Sequence, residues 1–109
     1  MTKIIIKKAK DGEMAGFVCE GHAAFGQRGA DIVCAALSVL TINTVNSLDI
    51  LLKEPMEVMT DDEAGIISLK FLQKPSGQAR LLMESYCLGI SEVFNHYGKK
   101  YVQLEFEDV

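Results

Sequence analysis

The chain lacks most of the features that would place it outside ordinary globular proteins. It has three cysteines, Cys19, Cys34 and Cys87. Their odd number, wide spacing and lack of any CxxC pair exclude a disulfide framework. The two histidines, His22 and His96, lie far apart. No spacing of His, Cys, Asp or Glu reads as a metal site, and no cofactor is expected. There is no excess of basic residues: the net charge is -4. That balance argues against generic nucleic-acid binding, which wants a basic surface, but it permits a basic protein partner. Long apolar runs are also missing. The most apolar stretch, Ile32 to Ile42, is shorter than the roughly 17–25 residues of a membrane span. The N-terminal run Ile4–Ile6 is too short for a signal peptide. No membrane association is expected, and a cytoplasmic location is the default.

What remains is a balanced composition, 49% apolar and 24% charged over 109 residues. This fits a single domain over residues 1–109, large enough to bury a core without staples. "KIIIKKAK" reads as a strand, Asp11-Gly12 as a turn, and "GFVCEG" as a second strand completing a hairpin. From Ile32 to Lys53 the pattern is helical, with Val33, Leu37, Leu40, Thr44 and Leu48 at three- and four-residue steps. The first half of that helix is apolar almost all round, which predicts deep burial. Pro55 marks a stop. "MEVMT" and "IISLKFLQ" read as strands around the turn "DDEAG". Ser76 is placed to cap a second helix from Gly77 to about Tyr97, and Gly98 suits its C′ position. "KYVQLEFED" closes the chain as a strand. The order ββαββαβ predicts a two-layer α+β domain, with two helices on one face of a mixed, mostly antiparallel sheet. Without one N-terminal strand this is the plait-like, split βαβ pattern.

The stretch "GHAAFGQRGADIVCAALSVL", Gly21 to Leu40, carries the chemistry. Asp31 stands where an N-cap belongs, which would make Cys34 the third residue of its helix. A thiol there feels the positive end of the helix dipole, and first-turn N–H groups could hold an oxyanion. His22, at the end of the second strand, could face that helix end and act as base. Asp31 either orients the imidazole or only caps the helix. Phe25, Gly26, Gln27, Arg28, Gly29 and Ala30 read either as a mobile loop over the site or as plain turn residues. Ser38 shares the Cys34 face one turn on, where it either lines the site or bonds back to a carbonyl. Plainer readings stand beside these. A cysteine in an apolar helix is ordinarily a small core residue, and a histidine after a strand is ordinarily a loop residue. Cys19 reads as a half-buried strand residue and Cys87 as core. His96 reads as a partner of a helix C-terminus.

The motif Gly21, His22, Ala23, Gly29, Asp31, Ile32, Val33, Cys34, Ala35 and Ser38 closely resembles the signature of the Prp family of bacterial ribosomal-processing cysteine proteases. The chain length and element order resemble that family too. The resemblance implies a cysteine endopeptidase that removes a short N-terminal extension from large-subunit ribosomal protein number twenty-seven, as part of ribosome maturation. It implies His22 as general base, Cys34 as nucleophile, a hydrophobic and aromatic cleavage sequence met by an apolar cleft, and a homodimer. Two other classes compete: a non-catalytic, ribosome-associated protein-binding module, in which Cys34 is buried, and a thiol redox sensor, which needs Cys19 or Cys87 close to Cys34.

Overall fold

A computed structural model of the chain describes residues 2–21, 28–97 and 100–109. The β-branched N-terminal run forms β1 (Thr2–Lys8), with Ile4 and Ile6 fully buried on one face. A turn follows in which Gly12 takes φ +83 and the Asp11 carboxylate accepts from the Glu13 N–H at 3.0 Å. It leads into β2 (Met14–Glu20), where Phe17 and Cys19 face the core. After α1 (Arg28–Asn46) and a π-helical turn (Ser47–Leu51) come β3 (Met56–Asp61) and β4 (Ile66–Phe71). The second helix, α2, spans Gly77–Tyr97, and β5 spans Val102–Asp108.

The sheet order is β3-β4-β2-β1-β5. All neighbours are antiparallel except β1 and β5, which run parallel. The architecture is the expected α+β one, an open mixed sheet with two helices. Its fifth strand has a definite place. β1, the strand additional to the plait pattern, is wedged between β2 and β5 rather than added at an edge.

One continuous core joins the sheet to the helices. Ile4, Ile6, Phe17, Cys19, Ile67, Leu69, Phe71 and Val102 come from the strands, and Val33, Leu37, Leu48, Met83, Tyr86 and Ile90 from the helical segments. The Phe17 and Tyr86 rings pack with centroids 4.5 Å apart, tilted by 37°. The Thr41 hydroxyl donates to the Leu37 carbonyl at 2.8 Å. It therefore accepts from the Tyr86 hydroxyl, 2.9 Å away, so both buried hydroxyls are satisfied.

Three expectations for the first helix need correction. It starts at Arg28, before Asp31, so Asp31 is inside the helix and is not its N-cap. Arg28, Gly29 and Ala30 belong to that helix rather than to a loop. Nor is its first half buried all round: Ile32 is 52% exposed, Val39 67% and Ile42 45%. Only one helix face meets the sheet, and among the described residues no layer covers the other. The segment Ile32–Leu51 is also long and apolar enough to cross a membrane by length and composition, contrary to the sequence expectation. In this fold Val33, Leu37, Thr41 and Leu48 of that segment are core residues. The segment ends before Lys53, which adopts φ +51 and stops the helix in the left-handed conformation usually left to glycine.

Ser76 caps α2 as expected, accepting from the Ala79 N–H at 3.1 Å while its own hydroxyl donates to Glu54. Gly98, expected at the C′ position of α2, lies outside the described residues.

Gly16 of β2 leaves no room for a side chain against β4. A Cβ built there would stand 2.1 Å from the Leu69 carbonyl oxygen, a backbone atom that cannot swing away. Gly16→Ala is predicted to destabilise the fold by about 1–3 kcal/mol, the usual range for overpacking. A urea midpoint equal to that of the unaltered protein would contradict this.

Candidate active site

Cys34 lies in the second turn of α1, one residue from the buried Val33, and is itself only 5% exposed. Its Sγ donates to the Gly21 carbonyl oxygen at 3.3 Å. The thiol is thus held at the end of β2, on the residue that immediately precedes His22 in the chain. Gly21 makes this contact in the left-handed region, at φ +85. Its own N–H donates to the Gly65 carbonyl at 2.8 Å, tying the end of β2 to the β3–β4 turn. Three segments distant in sequence therefore meet around the thiol.

The helix start found here changes the electrostatic argument for Cys34. A thiol on the third helical residue would sit among unpaired N–H groups. In the second turn, the backbone N–H of Cys34 belongs to the intrahelical ladder, and the dipole effect has largely fallen away. Support for this cysteine as a nucleophile rests on its setting against Gly21 and on the motif around it.

The remaining expected site residues divide clearly. His22, Phe25, Gly26 and Gln27 lie outside the described residues. Ser38 is half-buried and four residues beyond Cys34, on the same face of α1. Asp31 lies three residues before Cys34 in the same helix.

The other two cysteines are structural. Cys19 is fully buried rather than half-buried, because both sheet neighbours and the helix layer cover it. Burial pushes its thiol up from 9.0 to about 11, against a smaller opposing effect of the Thr41 hydroxyl. Cys87 packs on the edge of the core, with its Sγ 3.4 Å from the Met14 sulfur, and burial raises its pKa as well. His96 lies in the last turn of α2 with Nδ1 3.0 Å from the Glu92 carbonyl oxygen, as its position implied. Sequence reasoning missed Gly65. It reads as an ordinary turn glycine, and only the pairing of β2 with β4 brings it beside Gly21.

The chain as a whole is similar to known proteins. A family model described as cysteine protease Prp matches residues 1–103, so the class is a thiol-dependent peptide hydrolase. The ribosomal processing cysteine protease Prp of Staphylococcus aureus is 24% identical over 99 residues, covering 91% of this chain and 93% of that protein. The chain belongs to the cysteine protease Prp family. Its fold matches the crystal structure of the essential S. aureus protease Prp in complex with a substrate peptide, with a TM-score of 0.91 and 22% identity, covering 98% of this chain and all of the other. A second structure of that protease, with a covalently linked product peptide, superposes with a TM-score of 0.85 at 23% identity, over 98% of this chain and 100% of the other.

Cys19 and Tyr86 both hold their protons more tightly in the fold than in the open chain, since burial raises both. The sign of the linkage follows. The Cys19 contribution to stability is complete below the ordinary thiol value of 9.0 and is lost as the pH rises through about 11, while that of Tyr86 begins to be lost only above the ordinary phenol value of 10.0. The urea midpoint should fall across that window, and the fall should be shallower in Cys19→Ala. A midpoint constant from neutral pH to pH 11 would contradict the burial argument.

Proposed function

We propose that this chain is a cysteine endopeptidase that removes the short N-terminal extension of large-subunit ribosomal protein number twenty-seven during ribosome maturation. Residues 1–109 act as one protease domain in the cytoplasm, where ribosomal proteins are made, and its partner is that basic protein rather than nucleic acid. Membership of the Prp family carries this reading. Support comes from the thiol seated against the residue that precedes His22, and from the covalently linked product peptide in the S. aureus protease of the same fold.

In this mechanism His22 takes the Cys34 proton and the thiolate attacks the scissile carbonyl. The peptide C–N bond breaks as His22 returns the proton to the departing amine. A thioester to Cys34 remains, and water hydrolyses it to regenerate the thiol. With helix capping removed, orienting the His22 imidazole is the role this reading gives Asp31. Ser38 lies one turn along α1 from the thiol and lines the site. Apolar surface for a hydrophobic substrate is available next to the nucleophile, where Ile32 and Ala35 are exposed.

The test is cleavage of the unprocessed ribosomal protein, read as product masses. One N-terminal cut, abolished in both Cys34→Ala and His22→Ala, is expected. The residual rate should be lower by a factor of about a thousand or more, as for loss of a nucleophile or its base. Binding without a cut by the unaltered protein would favour the binding-module reading. A cut that survives Cys34→Ala would remove this cysteine from the mechanism.

The same reading includes a homodimer. One face of α1 supports it. Val39, Ile42 and Asn46 of α1, continued by Ile50 of the π-helical turn, recur at three- and four-residue steps and are all exposed, with no charged side chain among them. Two copies can bring such faces together without a like-charge penalty. Gel filtration should give twice the chain mass, and Val39→Glu should give the single-chain mass. A single-chain mass for the unaltered protein would overturn the dimer.

A further inference from the structure

We infer that Gly65 is a positioning residue for the Cys34 thiol, acting through the backbone of Gly21; the inference rests on Cys34 being the nucleophile. The β3–β4 turn is anchored at the end row of the sheet, where Asp61 pairs with Ile66 and Ile66 pairs with Glu20. The Asp61 carboxylate closes the turn by accepting from the Ala64 N–H at 3.1 Å. Gly65 follows at φ +67, and its carbonyl holds the Gly21 N–H at 2.8 Å. Gly21, at φ +85, directs its own carbonyl to the Cys34 Sγ at 3.3 Å. Both glycines occupy a conformation that strains any side chain. Each step therefore depends on the one before, from the turn to the thiol.

The consequence is geometric. The Gly21 carbonyl accepts from the S–H and gives Sγ a direction. Misplacement of a reacting atom by about 1 Å can cost on the order of a hundredfold in rate. If the turn is loosened, the carbonyl withdraws and the sulfur is aimed less well. Turnover of peptide then falls, while a small alkylating agent, which needs no such alignment, still reacts. A purely structural role for the turn would change both.

The experiment uses the full chain with three substitutions: Gly65→Ala, which strains the turn; Asp61→Ala, which removes its carboxylate acceptor without touching a left-handed residue; and Asp61→Asn, which keeps an acceptor oxygen. Turnover of the ribosomal N-terminal segment is measured beside the rate of Cys34 alkylation by iodoacetamide at neutral pH, read by peptide mass. Gly65→Ala should lower kcat about tenfold or more, with KM and the alkylation rate within about twofold. Asp61→Ala should show the same pattern more weakly, and Asp61→Asn should match the unaltered protein. If Asp61→Ala and Gly65→Ala keep the original kcat while Cys34→Ala is inactive, the positioning role falls and the nucleophile stands. If alkylation slows along with kcat in Asp61→Ala, the positioning role also falls. Cleavage by Cys34→Ala would overturn both.

Discussion

The structure depends on one narrow strip of α1 meeting one apolar face of the sheet. Val33, Leu37 and Thr41 are fully buried along that strip, and Leu48 of the π-helical turn continues it. Each large apolar side chain there contributes about 1.5–3 kcal/mol of burial, against about 1 kcal/mol for a single neutral hydrogen bond. Packing therefore decides where the helix lies, and hydrogen bonding decides only how its side chains point. Cys34 borders the strip. The same contacts that hold the helix to the sheet set its sulfur at the end of β2, where the Gly21 carbonyl gives it a direction.

Two thiols on neighbouring elements show how far environment separates like groups. Cys19 is enclosed by the sheet and the helix layer, beside the Thr41 and Tyr86 hydroxyls, and its proton is held well into the alkaline range. Cys34, nearly as buried, donates to the Gly21 carbonyl at the end of β2. Depth does not set the two apart. Position along the strand does: Cys19 pairs with Ile4 and Ile67 within the sheet, and Cys34 meets the strand only at its end.

Much of the fold was legible in the sequence. Alternation in β1 and β2, the Asp11-Gly12 turn and the Ser76 cap are local signals, and each was met in the structure. The start of α1 was not legible. Asp31 is a favourable N-cap type, but helix propensity in the residues before it is a competing local signal that a single sequence does not rank. Burial of α1 was misjudged for a related reason: apolar residues on all sides look like a fully enclosed helix, whereas the order of the strands leaves one face without a covering layer. Cys34 and Gly21 stood out in the motif; Gly65 did not, because nothing in "DDEAG" marks which residue its turn will touch.

The sequence by itself determined the elements, their order, the turns and the residue types of the motif, since these follow from local backbone preference and from hydrophobic spacing within one segment. Tertiary structure decided what those residues do to one another. It set β1 inside the sheet, exposed half of an apolar helix, and joined the segments at 21, 34 and 65 through two hydrogen bonds. Those contacts come from strand pairing and helix packing between distant parts of the chain, and pairing partners are chosen by the whole fold rather than by any stretch of it.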